Sequence, residues 1–367
     1  MKKFSALLIV ILTTLLIASC QKNEIITGNE NIKIELDKRY IQFDLGISTK
    51  GIIEDLSLND NFAVLGYQYR ADWESEKLFV EPNVFYASNG NIKLPLDVKY
   101  TVTTSGSYYS YDDPQEWSGN KYSFFAYYPT STNNDYIKPF DGGSTIKQDE
   151  PYITYTLPNT TNPTDLIDVM TAATIDTDAG ESTTVAFEMR HRLAAIDINI
   201  SNKSKIELAD GSQQNLTLEI TGLSVQFTNI NTSSLIYLNP AAPTAFVSKS
   251  TGSKVFNIIN SSLSVDFNKN KTVTQLENEN KKSILLIPQN DFLTGVLTIS
   301  YKKTYKVDNT DVLVTEESNK TYDFSFNKHL SEGRRYSIDV MFTSDAVSVS
   351  VESATDWNDV DVNNEFI

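Results

Sequence analysis

A two-residue rhythm of apolar and polar side chains runs through most of this chain and constrains its fold more than any other feature. Ile32, Ile34 and Leu36 alternate with polar residues, then Ile41, Phe43, Leu45 and Ile47; much later Val347, Val349 and Val351 alternate with Ser348 and Ser350. Successive side chains of a strand point to opposite faces, so such runs read as strands with one face buried and one in water. Clusters such as Ser105-Gly106-Ser107, Asn159-Thr160-Thr161-Asn162-Pro163 and Asn239-Pro240 supply turn chemistry between them. Residues 165–174 are the one candidate for a short helix. The pattern predicts roughly twenty strands and an all-β fold of packed sandwiches, and it argues against a parallel α/β enzyme fold.

Two passages sharpen this reading. Tyr122-Ser123-Phe124-Phe125-Ala126-Tyr127-Tyr128 is aromatic or apolar on nearly both faces, which predicts a strand buried on two sides and ended by Pro129. From Val185 to Ile200 the rhythm changes phase. Val185, Phe187 and Met189 hold odd positions, whereas Ala194, Ile196, Ile198 and Ile200 hold even ones. A one-residue slip turns every side chain over, so a bulge or strand break is expected near His191 and Arg192. The polar run 201–214 that follows is the expected connection between two cores, giving domains at 32–201 and 202–367.

The N-terminus carries an address. Lys2 and Lys3 precede an uncharged apolar run that ends in Ile17-Ala18-Ser19-Cys20, and Cys20 is the sole cysteine. The run is shorter than the roughly 20 residues a spanning helix needs, and small residues stand before the cysteine, so 1–19 read as a removable lipoprotein signal peptide. The Cys20 thiol would then receive diacylglycerol and the new N-terminus an acyl chain such as palmitate. Several acyl chains, at about 0.8 kcal/mol per buried methylene, give durable attachment. Residues 20–31 would be the tether. Gln21, and not Asp, follows the cysteine, which fits the cell outer membrane.

Losing residues 1–19 removes two lysines and moves the formal charge from −16 to −18. Such an acidic chain repels phosphates, so nucleic acid is not an expected partner. With the one thiol lipidated, neither a disulfide nor cysteine catalysis is available. His191 and His329 are the only histidines and read as structural; no Gly-x-Ser-x-Gly elbow is present. Asp176-Thr177-Asp178-Ala179-Gly180-Glu181 and Asp359-Val360-Asp361-Val362-Asn363-Asn364 approach a calcium loop, and neither completes one. The expectation is therefore no enzyme, no cofactor and no metal.

In order along the chain stand the Cys20 signal, a strand ending in Ser48-Thr49-Lys50-Gly51, and Asn61-Phe62-Ala63-Val64-Leu65-Gly66-Tyr67. Then come Trp117 with the aromatic strand, Asp165-Leu166-Ile167-Asp168, Phe187 with His191-Arg192-Leu193-Ala194, Gly333-Arg334-Arg335-Tyr336 and Trp357-Asn358. Together these pieces resemble the fimbrillin (type V pilin) family of surface fimbriae. The resemblance implies two β-sandwich domains of transthyretin-like topology, lipoprotein export, and assembly with other fimbrial subunits by strand exchange, in support of adhesion to a host or glycan receptor. In that scheme a protease removes the first strand and a neighbour's terminal strand fills the groove. The donor would be residues 346–352 or the acidic tail from Trp357. Family shaft subunits are typically cut after arginine; this chain has Lys50 at the matching place, and Arg39 is the other candidate cut. The alternative is a lipid-anchored surface glycan-binding protein that stacks sugars on Trp117, Tyr108, Tyr109 or Tyr111. A surface glycosidase, needing a close carboxylate pair, is the third reading.

Overall fold

The structure, a computed structural model, describes residues 40–46, 61–77, 83–89, 92–104, 106–131, 134–139, 151–178, 184–207, 211–241, 246–273, 283–306 and 313–356. Cys20, Arg39, Lys50, the strand expected at 32–36 and the tail from Trp357 lie outside the described residues. Contacts divide the chain into a larger unit, residues 39–101 and 108–367, and a smaller one, residues 1–38 with 102–107. The fold below is that of the larger unit, except that Leu96–Thr103 ends and Gly106–Ser110 begins with residues of the smaller one.

Nearly every described element is a strand, as the alternation predicts. Three sheets dominate. The first has six strands in the order Arg190–His191, Met170–Thr177, Lys121–Tyr128, Phe62–Tyr69, Leu96–Thr103 and Gly106–Ser110. Its two central strands separate two cores by simple alternation. Phe62, Val64, Phe124 and Ala126 face a smaller core, while Ala63, Leu65, Phe125 and Tyr127 face a larger one. The aromatic strand is thus buried on both faces and ends at Tyr128, immediately before Pro129.

The second sheet orders Leu313–Leu330, Gln289–Lys306, Thr217–Tyr237, Tyr152–Thr156 and Ile137–Pro139, with Phe246–Ile259 and Leu263–Val265 also paired to Thr217–Tyr237. The third orders Asn270–Thr272, Ala194–Asn202, Arg334–Phe342 and Val347–Asp356, and Ile284–Leu286 also pairs with Ala194–Asn202. Leu218, Val225 and Leu297 from the second sheet share the larger core with Ile196, Ile198 and Ile338 from the third. This shared core makes one sheet pack face to face on another.

The phase change resolves as the rhythm requires. Thr184–Glu188 ends one sheet, Arg190–His191 is a two-residue strand of another, and Ala194 begins a third. Val185 and Phe187 therefore fill the smaller core, and Ile196, Ile198 and Ile200 the larger.

Strands on both sides of residue 202 share sheets. Ala194–Asn202 lies parallel to Arg334–Phe342, and Tyr152–Thr156 pairs with the end of Thr217–Tyr237. Part of the run 201–214 is a short hairpin of Lys205–Glu207 with Gln213–Asn215, not an open linker. The helix expected at 165–174 is corrected. Only a 3-10 turn, Pro163–Asp165, forms there, with the Asn162 side chain accepting from Thr164 N, and Met170–Thr177 is a strand paired with Lys121–Tyr128. Long-range pairing and burial of Met170 and Ala172 outweigh a weak local helical tendency. One helix not expected from sequence, Trp73–Glu76, is capped by Asp72 and seats Trp73 in the larger core.

Candidate functional site

The first described strand, Gln42–Gly46, is an insert and not a member of the three large sheets. Among the described residues it pairs only with Thr184–Glu188, in parallel, with Phe43 opposite Val185 and Leu45 opposite Phe187. Alternation decides what it buries: Ile41, Phe43 and Leu45 are 1–5% exposed, whereas Asp44 faces solvent. Phe43 enters a ring of aromatics. Its centroid lies 4.8 Å from Phe85, 5.5 Å from Tyr111, 5.6 Å from Phe187 and 5.7 Å from Phe124. Phe62, Val64, Ala126, Met170 and Ala172 belong to the same core.

Gly66 lets a loop approach this core from below. A Cβ there would meet Phe85 Cδ2 at 2.7 Å and Phe124 Cδ1 at 3.2 Å, and its N–H donates to Phe85 O at 3.2 Å. Polar fastenings hold the start of the strand. Tyr111 Oη donates to Ile41 O at 2.6 Å, Ile41 N donates to Gln115 O at 2.8 Å, and Gln115 N donates to Tyr111 Oη at 3.3 Å. Burial pushes the Tyr111 phenol up to about 12, with the Gln115 N–H pulling the other way.

Three buried side chains, at about 1.5–3 kcal/mol each, hold this strand, and its withdrawal would expose the apolar slot beneath. Chemically the arrangement binds an extended apolar segment by alternate pockets and one strand edge. The strand lies between positions 39 and 50, so a cut after Lys50 would sever it from the body of the chain. A cut after Arg39 would leave it attached.

A second set of resemblance-bearing residues converges at the strand break. His191 Nδ1 and Asp168 Oδ2 lie 2.5 Å apart with both side chains buried. Arg192 is 1% exposed and pairs with Glu332 Oε2 at 2.8 Å, donates to Tyr237 O at 3.3 Å, and lies 5.2 Å from the Phe246 ring. Burial raises the Glu332 carboxyl, with Arg192 and Arg190 opposing, and burial lowers the Arg192 guanidinium, which Glu332 opposes. Gly333, at φ +60°, donates to Leu193 O at 3.0 Å. These groups pin the chain where it crosses from one sheet to the next. Residues 140 positions apart meet here, and no local spacing could have paired Arg192 with Glu332.

The other sequence candidates fall as follows. Trp117 is half-buried and meets Tyr122 edge-on at 5.0 Å. Tyr109 packs on Phe62, Tyr111 serves the first strand, and Tyr108 is 36% exposed. Asp176, from the calcium-like run, accepts from Tyr69 Oη at 2.8 Å and Trp73 N at 2.9 Å and so clamps a bulge of its strand. Among the described residues no group of three His, Cys, Asp or Glu is placed to hold a metal ion.

Sheets packed on sheets, with a first strand inserted in an apolar groove, make this a β-sandwich protein. Within that class the chain belongs to the fimbrillin-like family, whose model matches residues 49–357. It is similar to the crystal structure of a fimbrial protein from Bacteroides vulgatus, with TM-score 0.63 and 19% identity, over 87% of this chain and 99% of that one. It also matches a putative cell adhesion protein from Bacteroides uniformis, with TM-score 0.45 and 14% identity over 89% and 100% of the two chains. A fimbrial assembly protein from Parabacteroides distasonis matches with TM-score 0.38 and 12% identity over 86% and 97%. A comparison with the curated proteins finds no match.

Proposed function

We propose that this chain is a structural subunit or membrane anchor of cell-surface fimbriae, without a catalytic role. In this reading it is exported as a lipoprotein, held at the outer membrane by lipid on Cys20, and joined to other subunits by strand exchange in support of adhesion. The observation that carries the reading is the seated strand: Ile41, Phe43 and Leu45 fill a slot that accepts alternate apolar side chains and offers one strand edge to pair with. A strand of a neighbouring subunit with the same alternation, such as residues 346–352, meets the same requirement. A two-domain organisation belongs to the reading, with domains at 32–201 and 202–367.

Mass spectrometry of the N-terminus, from purified outer membrane and from sheared filaments, tests it. A start at Gly51 in filaments removes Gln42–Gly46 and supports strand exchange at this groove. Acylated Cys20 confined to membrane supports an anchor. Filament subunits that start at Tyr40, or at Cys20, retain the strand in place and refute exchange at this site.

A further inference from the structure

The turn before the last strand is fastened from outside itself. Residues 343–346 join Arg334–Phe342 to Val347–Asp356 and close through Thr343, whose N and Oγ1 donate to Ala346 O at 2.9 and 3.0 Å. Ala346 N donates back to Thr343 Oγ1 at 3.2 Å. Two other segments then grip it. Lys203 N donates to Phe342 O at 2.7 Å, Ser204 Oγ to Thr343 O at 3.0 Å, and Lys205 N to Ser344 Oγ at 3.0 Å. From Gln289–Lys306, Lys303 Nζ donates to Thr343 O at 2.9 Å and to Ser344 O at 3.2 Å.

Lys303 is an unusual choice for such a place. It is only 8% exposed, and burying an ammonium is unfavourable unless hydrogen bonds satisfy it. That burial lowers its pKa, with Glu316 and Asp345 opposing. A turn at a sheet edge can close on itself, as this one does through Thr343, so the buried charge does more than complete the turn. The segment on the other side is equally fixed. Asn202 is fully buried, donates to Leu216 O and Val265 O, and accepts from Ser204 N.

The strand that follows is held more lightly. Val347–Asp356 lies at the edge of its sheet, and Val347, Val349 and Val351 are only half-buried while Ser348, Ser350 and Glu352 face water. We propose that Lys303, with Ser204, is a clamp that keeps the C-terminal strand in its own sheet. The turn is the fixed point, and the strand leaves only by peeling from Asp356 toward Val347. In assembly, a consequence that rests on the strand-exchange reading above, the clamped turn is the fixed hinge about which a peeled strand reaches a neighbour's groove.

Hydrogen exchange on the full chain, with its first strand intact, tests the clamp. Protection rises from 356 toward 347 in the native protein. Lys303→Met keeps the apolar stem and removes the donors, and exchange across 343–351 then quickens about tenfold or more, because charge-assisted bonds to two carbonyls are lost. Residues 194–202 keep their protection. Ser204→Ala gives a smaller rise in the same segment and carries the test should Lys303→Met fail to fold. Unchanged exchange at 343–351, or an equal rise through 194–202, overturns the proposal. Because the precursor alone is measured, a failure of strand exchange leaves this result untouched.

Discussion

Phe43→Ala is the most direct probe of the groove. Phe43 is 5% exposed and touches four aromatic rings at 4.8–5.7 Å, so truncation empties the centre of the slot. Buried Phe→Ala changes cost about 3–5 kcal/mol. The lower end applies, since among the described residues the strand has one pairing partner and its own side can relax. About 3 kcal/mol raises the undocked population roughly a hundredfold at about 1.4 kcal/mol per decade. Ile41 and Leu45 remain as anchors, so the strand loosens and the rest of the fold survives. Hydrogen exchange reads this at 42–46 and at Thr184–Glu188, whose edge the strand covers, and both lose protection while Thr217–Tyr237 keeps it. Asp44→Ala, on the exposed face, stays within about 0.5 kcal/mol of the native protein. Unchanged exchange at 184–188 in the Phe43 variant would refute the reasoning, because the strand would then not depend on this pocket.

The remaining expectations concern the fastenings around it. The Tyr111 phenol titrates near 12 in the folded chain against an ordinary value of 10.0, so its contribution is fully present below 10 and is lost as pH rises through about 12. Tyr111→Phe therefore flattens the alkaline stability profile, and an unaltered profile argues that the hydroxyl is not a fastening of the strand. Arg192→Met takes from the Glu332 carboxylate, which is one-third exposed and keeps Arg190 nearby, its paired cation and costs about 1–3 kcal/mol in chemical denaturation, whereas Arg192→Met with Glu332→Leu recovers most of it. A double variant no better than the single one contradicts that account. Gly66→Ala drives a methyl toward Phe85 and Phe124 and lowers the denaturation midpoint by an amount equivalent to about 1–3 kcal/mol, while Gly119→Ala, where a Cβ meets nothing within 4 Å, leaves it nearly unchanged.

Much of the fold was legible as periodicity. Phe43 and Leu45, Phe124 and Phe125, and the slip between Phe187 and Ala194 each report a face, and each face is where the rhythm places it. The family resemblance was legible too, because its pieces lie in order along the chain. Residues 165–174 misled because short-range propensity is weak beside a strand partner 40-odd positions away. Trp117 and Tyr109 looked like surface contacts from their polar neighbours, yet each found an aromatic partner in the smaller core. Lys303 gave no sequence signal, since Lys302-Lys303, with Lys306 close behind, looks like a solvated face.

The sequence by itself determined which side chains turn inward, where the faces change phase, and the family to which the chain belongs. All three depend on neighbours in the chain or on their order. Tertiary structure alone decided partners: Arg192 with Glu332, Lys303 with the turn at 343–346, and Gln42–Gly46 with Thr184–Glu188 across some 140 intervening residues. Alternation specifies a face but not the strand that covers it, because a period of two is the same in every strand. Which strand lies beside which is settled only when whole sheets compete to bury the same apolar surface.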